Sequence, residues 1–210
     1  MELILSLIII LFSAILHEVA HGYVADRLGD PTARLAGRLT LDPRRHIDPF
    51  MSIILPLILV FSGLPAIGAA KPVPVDPFNL KEGRKDIALV SLAGPLTNIA
   101  IAVIASFFIK FLLLISTGSV VVIFIMTFLT LVVQLNLLLA IFNLLPIPPL
   151  DGSKIFALLL PEEHANAYLS LGSIGMFIIF FLLFFPLGGF SLGDLIFRNL
   201  LPFAVNLLIP

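Results

Sequence analysis

His17-Glu18-Val19-Ala20-His21 places two imidazoles and a carboxylate within five residues, near the end of an apolar run that begins at Leu3. On a helix, residues four apart lie about 40° apart around the axis, so both imidazoles leave one face and can share a single cation. Glu18 sits one position along, close enough to reach a water on that cation without being a ligand. Zinc held by such a pair lowers the pKa of its water toward neutrality, and the carboxylate can take the proton as the water attacks a carbonyl. The plain alternative is a polar cluster at a helix end that faces headgroups. Against it stands the energetic penalty of lipid: an ionisable side chain near the centre of a spanning helix costs about 2.5–3.5 kcal/mol and usually marks a functional site.

A catalytic zinc commonly has three protein ligands and one open position. The chain has no cysteine, which excludes disulfides, thiolate zinc sites, iron–sulfur clusters and cysteine nucleophiles, so a third ligand must be His, Asp or Glu. His46 lies in the charged stretch Arg44-Arg45-His46-Ile47-Asp48-Pro49 and is expected to be solvated or bonded within its loop. His164 follows Pro161-Glu162-Glu163, where a helix N-terminus accounts for it. Asp151 closes the segment Asn143-Leu144-Leu145-Pro146-Ile147-Pro148-Pro149-Leu150-Asp151-Gly152. Its prolines stop a helix and Gly152 allows a turn, so the carboxylate is expected to be presented from non-helical chain. A helix stop with a solvated Asp fits that spacing equally well. In Gly94-Pro95-Leu96-Thr97-Asn98, Gly94 permits close helix approach and Asn98 can hydrogen-bond across an interface, a pattern that alone speaks of packing without chemistry.

These residues must be positioned by elements whose solvent is lipid. Of 210 residues, 60% are hydrophobic and 12% charged, about half the charged share of an ordinary globular domain. Twelve basic and 13 acidic side chains nearly cancel, which argues against nucleic acid as a partner. Spanning helices need about 20 apolar residues, and the stretches 3–25, 87–115, 120–142 and 167–186 qualify. Two further segments are ambiguous: 50–70, interrupted by Pro56, Gly63, Pro65 and Gly68, and 195–210, which holds Arg198 and Pro202. The apolar run after Glu2 has signal-peptide length, but it lacks a positive flank and a cleavage pattern and continues into His17. The whole chain is expected to be one membrane domain, with no soluble module of its own.

The three pieces, in this order and each in an apolar helix, resemble the site-2 protease family of intramembrane zinc metallopeptidases. That family pairs H-E-x-x-H with N-x-x-P-x-x-P-x-D-G, matched by Asn143, Pro146, Pro149, Asp151 and Gly152, and carries G-x-x-x-N in a middle core helix, matched by Gly94 and Asn98. The resemblance covers roughly residues 10–160, without the PDZ or CBS-type domains of some relatives. It implies an all-α polytopic membrane protein, a helical bundle with a three-helix catalytic core and a re-entrant or hairpin segment around 50–76. It further implies one Zn2+ per chain on His17, His21 and Asp151, Glu18 as catalytic acid/base, Asn143 as an active-site amide and Gly94 and Asn98 as core support. The substrate would be a transmembrane helix of another membrane protein, hydrolysed in or near the bilayer. The segment 50–76, with Lys71-Pro72-Val73-Pro74-Val75, could offer such a substrate an extended edge.

Charge distribution gives an independent expectation. Nine of the twelve Lys and Arg fall between residues 26 and 86, so that stretch is expected on the cytosolic side. A shared ion requires the helices that end near His21 and near Asp151 to run parallel, which holds if 26–86 begins and ends on one side. The active site then lies toward the cytosol of a prokaryotic plasma membrane, with the N-terminus outside. Two other functions remain at this stage. A metal or proton transporter would need polar groups along the bilayer depth, yet 99–109, 119–133 and 174–187 contain no Asp, Glu or His. A noncatalytic scaffold that keeps the zinc site is the third.

Overall fold

Every residue that could break a helix between Glu2 and Leu28 is absent except Gly22, and in the computed structural model this stretch is one 27-residue helix, α1 (Glu2–Leu28). The structure describes residues 2–48, 71–115, 119–186 and 188–209, together with 54, 57, 58 and 61. Further α-helices among the described residues are α2 (Thr32–Leu35), α3 (Arg84–Ile115), α4 (Val120–Asn143), α5 (Asp151–Ala157), α6 (Glu162–Ser170), α7 (Gly172–Phe184), α8 (Leu192–Asp194) and α9 (Leu201–Leu208), with 3-10 turns at Pro43–Arg45 and Pro77–Asn79 and a π-helical turn at Leu195–Leu200 before α9. Among the described residues there is no strand, and the protein is all-α. The segment 50–70, expected to be re-entrant or hairpin-like, lies almost wholly outside the described residues; 71–76 is irregular chain.

Three helices, Leu3–Leu28, Arg84–Ile115 and Val120–Asn143, are long and apolar enough to cross a membrane. The fourth stretch, expected as one span over 167–186, is a pair: α6 and α7 meet at a 66° bend. Its apolar leg, α7, has 13 residues, and reaches only about 20 Å at 1.5 Å per residue. Large apolar side chains line the outer faces, among them Phe107, Phe111 and Leu114 on α3 and Val120, Ile123 and Phe124 on α4. That arrangement is stable where the surrounding solvent is hydrocarbon.

The chain divides into two compact units, Met1–Thr97 and Asn98–Pro210. In the first, Ala25 of α1 packs with Leu80 and Val90, and Val24, Leu28, Val75 and Ile87 close around them. Gly29, at a φ of 117°, ends α1 in the left-handed region that a glycine tolerates without a Cβ clash. The turn brings Asp30 inward, where it is fully buried. Its carboxylate accepts from the Thr32 amide (3.1 Å), the Thr32 hydroxyl, the Asp76 amide (2.7 Å) and the Asn79 side chain (3.0 Å). Burial alone would push this carboxyl up, but the hydrogen bonds, led by the Thr32 hydroxyl, outweigh it and hold Asp30 below its ordinary value.

In the second unit, small residues let helices approach closely. Ala102, Ala105 and Ile109 of α3 pack on Val133 and Leu137 of α4, and Leu201, Ala204, Val205 and Leu208 of α9 cover the cluster. Residues 195–208 of the tail are thus helical and packed on their own unit. Pro202 has no N–H for the carbonyl one turn back, and the widened π turn precedes it. Asn98 and Asn136, both fully buried, join α3 to α4 through an amide hydrogen bond of 3.0 Å, while Asn136 also donates to the Val132 carbonyl.

Two outcomes follow for stability. Asn98→Ala and Asn136→Ala, alone and combined, should show a coupling energy of about 1 kcal/mol in detergent unfolding, and additivity would remove the pair from the packing account. Asp30 has its folded-state value depressed, so its contribution is complete above the unfolded value, near 3.8, and is lost as pH falls through the folded value. The melting-temperature difference between wild type and Asp30→Asn should therefore be constant from neutrality to about pH 5 and shrink below about pH 4.

Candidate active site

His17 and His21 occupy one face of α1, one turn apart, and both are buried. Their Nε2 atoms lie 2.9 Å apart and their rings meet edge to face with centroids 4.5 Å apart. The Nδ1 of His21 is 2.6 Å from the carbonyl of Val90 on α3. A carbonyl only accepts, so Nδ1 of His21 donates, and this bond turns the ring so that its Nε2 faces His17. Such a carbonyl contact is the usual way a ligating imidazole is held in orientation and tautomer.

Residue 94 has to be glycine for this packing. A Cβ there would stand 2.5 Å from Nε2 of both His17 and His21. Pro95, the next residue, lies inside α3 and is buried; without an N–H it cannot bond the Ser91 carbonyl, and it loosens the same stretch of helix that supplies the Val90 carbonyl. Glu18, half-buried, points differently: its Oε2 accepts from the Val73 amide at 2.8 Å. The segment 71–76 thus touches the pentad from the side opposite in sequence, 55 residues away.

In the second unit the proline segment 144–150 accounts for its own backbone. Prolines 146, 148 and 149 have no N–H, and the donors that remain are bonded locally: Leu144 to Ala140 (3.0 Å), Leu145 to Phe142 (3.2 Å), Ile147 to Leu145 (2.8 Å) and Leu150 to Ile147 (3.0 Å). Tyr168 of α6 clamps the segment by donating to the Pro146 carbonyl at 2.7 Å. Asp151 follows, buried, as the first residue of α5. This corrects the expectation of a carboxylate on non-helical chain: the irregular backbone ends at Leu150, and an acidic residue in a helix's first turn is favoured by the exposed N–H groups there. Lys154, one turn on, contacts Asp151 Oδ1 at 3.2 Å.

Of the other candidates, Asn143 ends α4 and donates from Nδ2 to the Leu139 carbonyl at 3.0 Å. His46 is fully buried, with Nε2 2.8 Å from the Thr40 carbonyl, so it is loop-bonded and not solvated. His164 is exposed in the first turn of α6. Asn136 was not singled out from the sequence, although an amide in the middle of an apolar helix is a signal that could have marked it. Val73 and Asp30 carried no such signal, because their partners are distant in sequence.

The family model described as Peptidase family M50 matches residues 110–186. "Putative zinc metalloprotease YwhC" of Bacillus subtilis is 40% identical over 203 residues, which cover 92% of this chain and 85% of that protein. The chain belongs to peptidase family M50. Rip2 of Mycobacterium tuberculosis and MJ0611 of Methanocaldococcus jannaschii, which carry the same description, are 36% and 35% identical; the aligned parts cover 82% and 72% of this chain. They cover 62% and 69% of those two proteins. No solved structure matches the chain. With three membrane-length apolar helices, this M50 member is an integral membrane protein, and neither a transporter nor a scaffold is favoured for it.

Gly94→Ala tests the packing around the imidazoles. The added methyl should displace one or both rings and weaken zinc binding at least tenfold while the purified protein stays monodisperse. Wild-type zinc affinity in that variant would show that the approach of α3 is not required.

Proposed function

We propose that this M50 member is a zinc endopeptidase that cuts peptide bonds in or near transmembrane segments of other membrane proteins. The observation that carries the proposal is the pair of buried Nε2 atoms 2.9 Å apart on one face of α1, with the His21 ring oriented by the Val90 carbonyl. Two imidazoles and a carboxylate are a donor set that fits a catalytic zinc with one position open, and buried Asp151 is the carboxylate we assign to it. When bound, zinc supplies the Lewis acidity that acidifies a water and polarises the scissile carbonyl.

The residues of the chain perform the rest. Glu18 has one oxygen tied to the Val73 amide and the other free to accept the proton of the attacking water. It then returns that proton to the departing amine nitrogen, as a positioned acid/base does. Asn143 has given one N–H to Leu139, and its second N–H and its carbonyl remain to hold the substrate backbone. A substrate helix must unwind locally first, because its carbonyls are engaged by amides four residues on and are shielded within the helix. The basic stretch 26–86 supports a cytosolic placement of this chemistry.

Glu18→Gln should keep one zinc per chain and lose at least about a hundredfold in turnover of a model single-span substrate. Asp151→Ala should lose zinc as well as turnover. A chelator should abolish cleavage by wild type, and added Zn2+ should restore it. Wild-type turnover by Glu18→Gln would remove the assigned base, and full zinc in Asp151→Ala the assigned third ligand. Mapping the products by mass spectrometry decides between internal and terminal cleavage.

A further inference from the structure

The strap 71–76 reads Lys-Pro-Val-Pro-Val-Asp, and its two prolines remove two backbone donors and fix φ on either side of Val73. The donors of Lys71, Val73 and Asp76 each have a partner in another element: the His46 carbonyl at 2.7 Å, Glu18 Oε2 at 2.8 Å and Asp30 Oδ2 at 2.7 Å. The carbonyls of Lys71 and Pro72 accept from Arg38 at 2.8 and 3.3 Å. The Val73 side chain is buried against α1, so near Gly22 that a Cβ there would stand 2.7 Å from it.

Asp30 divides its two oxygens between two tasks. Oδ1 takes the Thr32 amide and hydroxyl and the Asn79 side chain, which tie the turn after α1 together. Oδ2 takes the Asp76 amide, at the far end of the strap. Between that anchor and the Lys71 anchor stands Val73, whose only backbone donor is spent on Glu18. The prolines make the intervening chain stiff, so the position of the Val73 amide is set by where the strap is pinned.

We infer that Asp30 is a positioning residue for the reaction: by clamping the Asp76 amide it holds the strap so that the Val73 N–H fixes one oxygen of Glu18 and leaves the other facing the water. The inference rests on the reading of Glu18 as the base. Asp30 itself touches neither ligand residues nor substrate, and acts through backbone. Asp30→Asn is a selective lesion. Its carbonyl oxygen can keep the Oδ1 bonds, while its NH2 group opposes the Asp76 N–H donor to donor. Val73→Pro deletes the donor to Glu18 itself.

The test uses the full chain in detergent or proteoliposomes with a single-span substrate, and reads kcat, KM, zinc per chain and melting temperature. Asp30→Asn and Val73→Pro should lower kcat at least tenfold, with KM within about twofold, zinc retained and a cooperative melt. Asn79→Ala, which disturbs only the Oδ1 side, should lower the melting temperature and keep kcat. The inference is overturned by wild-type kcat in either strap variant, or by raised turnover, which would make the strap a mask over the base. It is also overturned if the fall in kcat comes with loss of zinc or of the folded transition, or if Asn79→Ala loses kcat equally, since each assigns Asp30 a general structural role. Glu18→Gln, run alongside, separates the two readings. If it cleaves normally, the base assignment fails; if it is inactive while both strap variants match wild type, only the strap inference fails.

Discussion

Two imidazole nitrogens 2.9 Å apart within apolar surroundings are the constraint on which the rest of the first unit depends. At that distance the rings must be held edge to face, and in such a place their remaining polar atoms lack water to satisfy them. The chain meets both difficulties with backbone. The Val90 carbonyl takes the Nδ1 proton of His21, and the residue at 94 has no side chain to compete for the space. Pro95 loosens the helix beside them. The short motif Gly94-Pro95 therefore has a meaning that helix packing alone does not give it: it shapes α3 to the edges of the two rings.

A second constraint is that an N–H without a partner is expensive wherever water is scarce. Both irregular segments near the candidate residues are proline-rich, and the reason is the same in each. Proline lets the backbone leave the helix while lowering the number of donors that must then be satisfied. In 144–150 the four remaining backbone donors, those of Leu144, Leu145, Ile147 and Leu150, bond to carbonyls within that segment or the last turn of α4. In 71–76 the donors of Lys71, Val73 and Asp76 reach other elements, so that segment can fasten to the pentad while 144–150 stands on its own.

Local periodicity carried much of this into the sequence. The helices expected over 3–25, 87–115 and 120–142 are α1, α3 and α4, each longer by one to three residues at an end, where polar residues such as Arg84 and Asn143 still continue the turn. The pairing of His17 with His21 follows from a helical repeat of 3.6 and needs no tertiary information. The bend between α6 and α7 was not legible, because no proline marks Leu171 and hydropathy is blind to direction. The helical setting of Asp151 was missed because Gly152 and the prolines read as a turn, whereas the first turn of a helix tolerates both a preceding extended chain and an acidic residue. Nothing in the sequence could place Val73 on Glu18, since the contact spans 55 residues and involves a backbone amide, which every residue but proline has.

That backbone groups hold both His21 and Glu18 has an energetic logic. A side chain recruited to orient a catalytic group brings its own rotamer entropy, and a charged one brings a desolvation penalty at the edge of lipid. A carbonyl from a helix and an amide from a strap bring neither, because their positions are already fixed by the elements that contain them. Charges are nevertheless used on the strap, by Arg38 at the Lys71 and Pro72 carbonyls and by Asp30, which lies beyond the end of α1, where four hydrogen bonds can satisfy it. The ionised group thus sits outside the apolar helix, and what reaches the pentad from it is a neutral amide. A chain with only 12% charged residues can in this way hold the Glu18 carboxylate through a neutral amide.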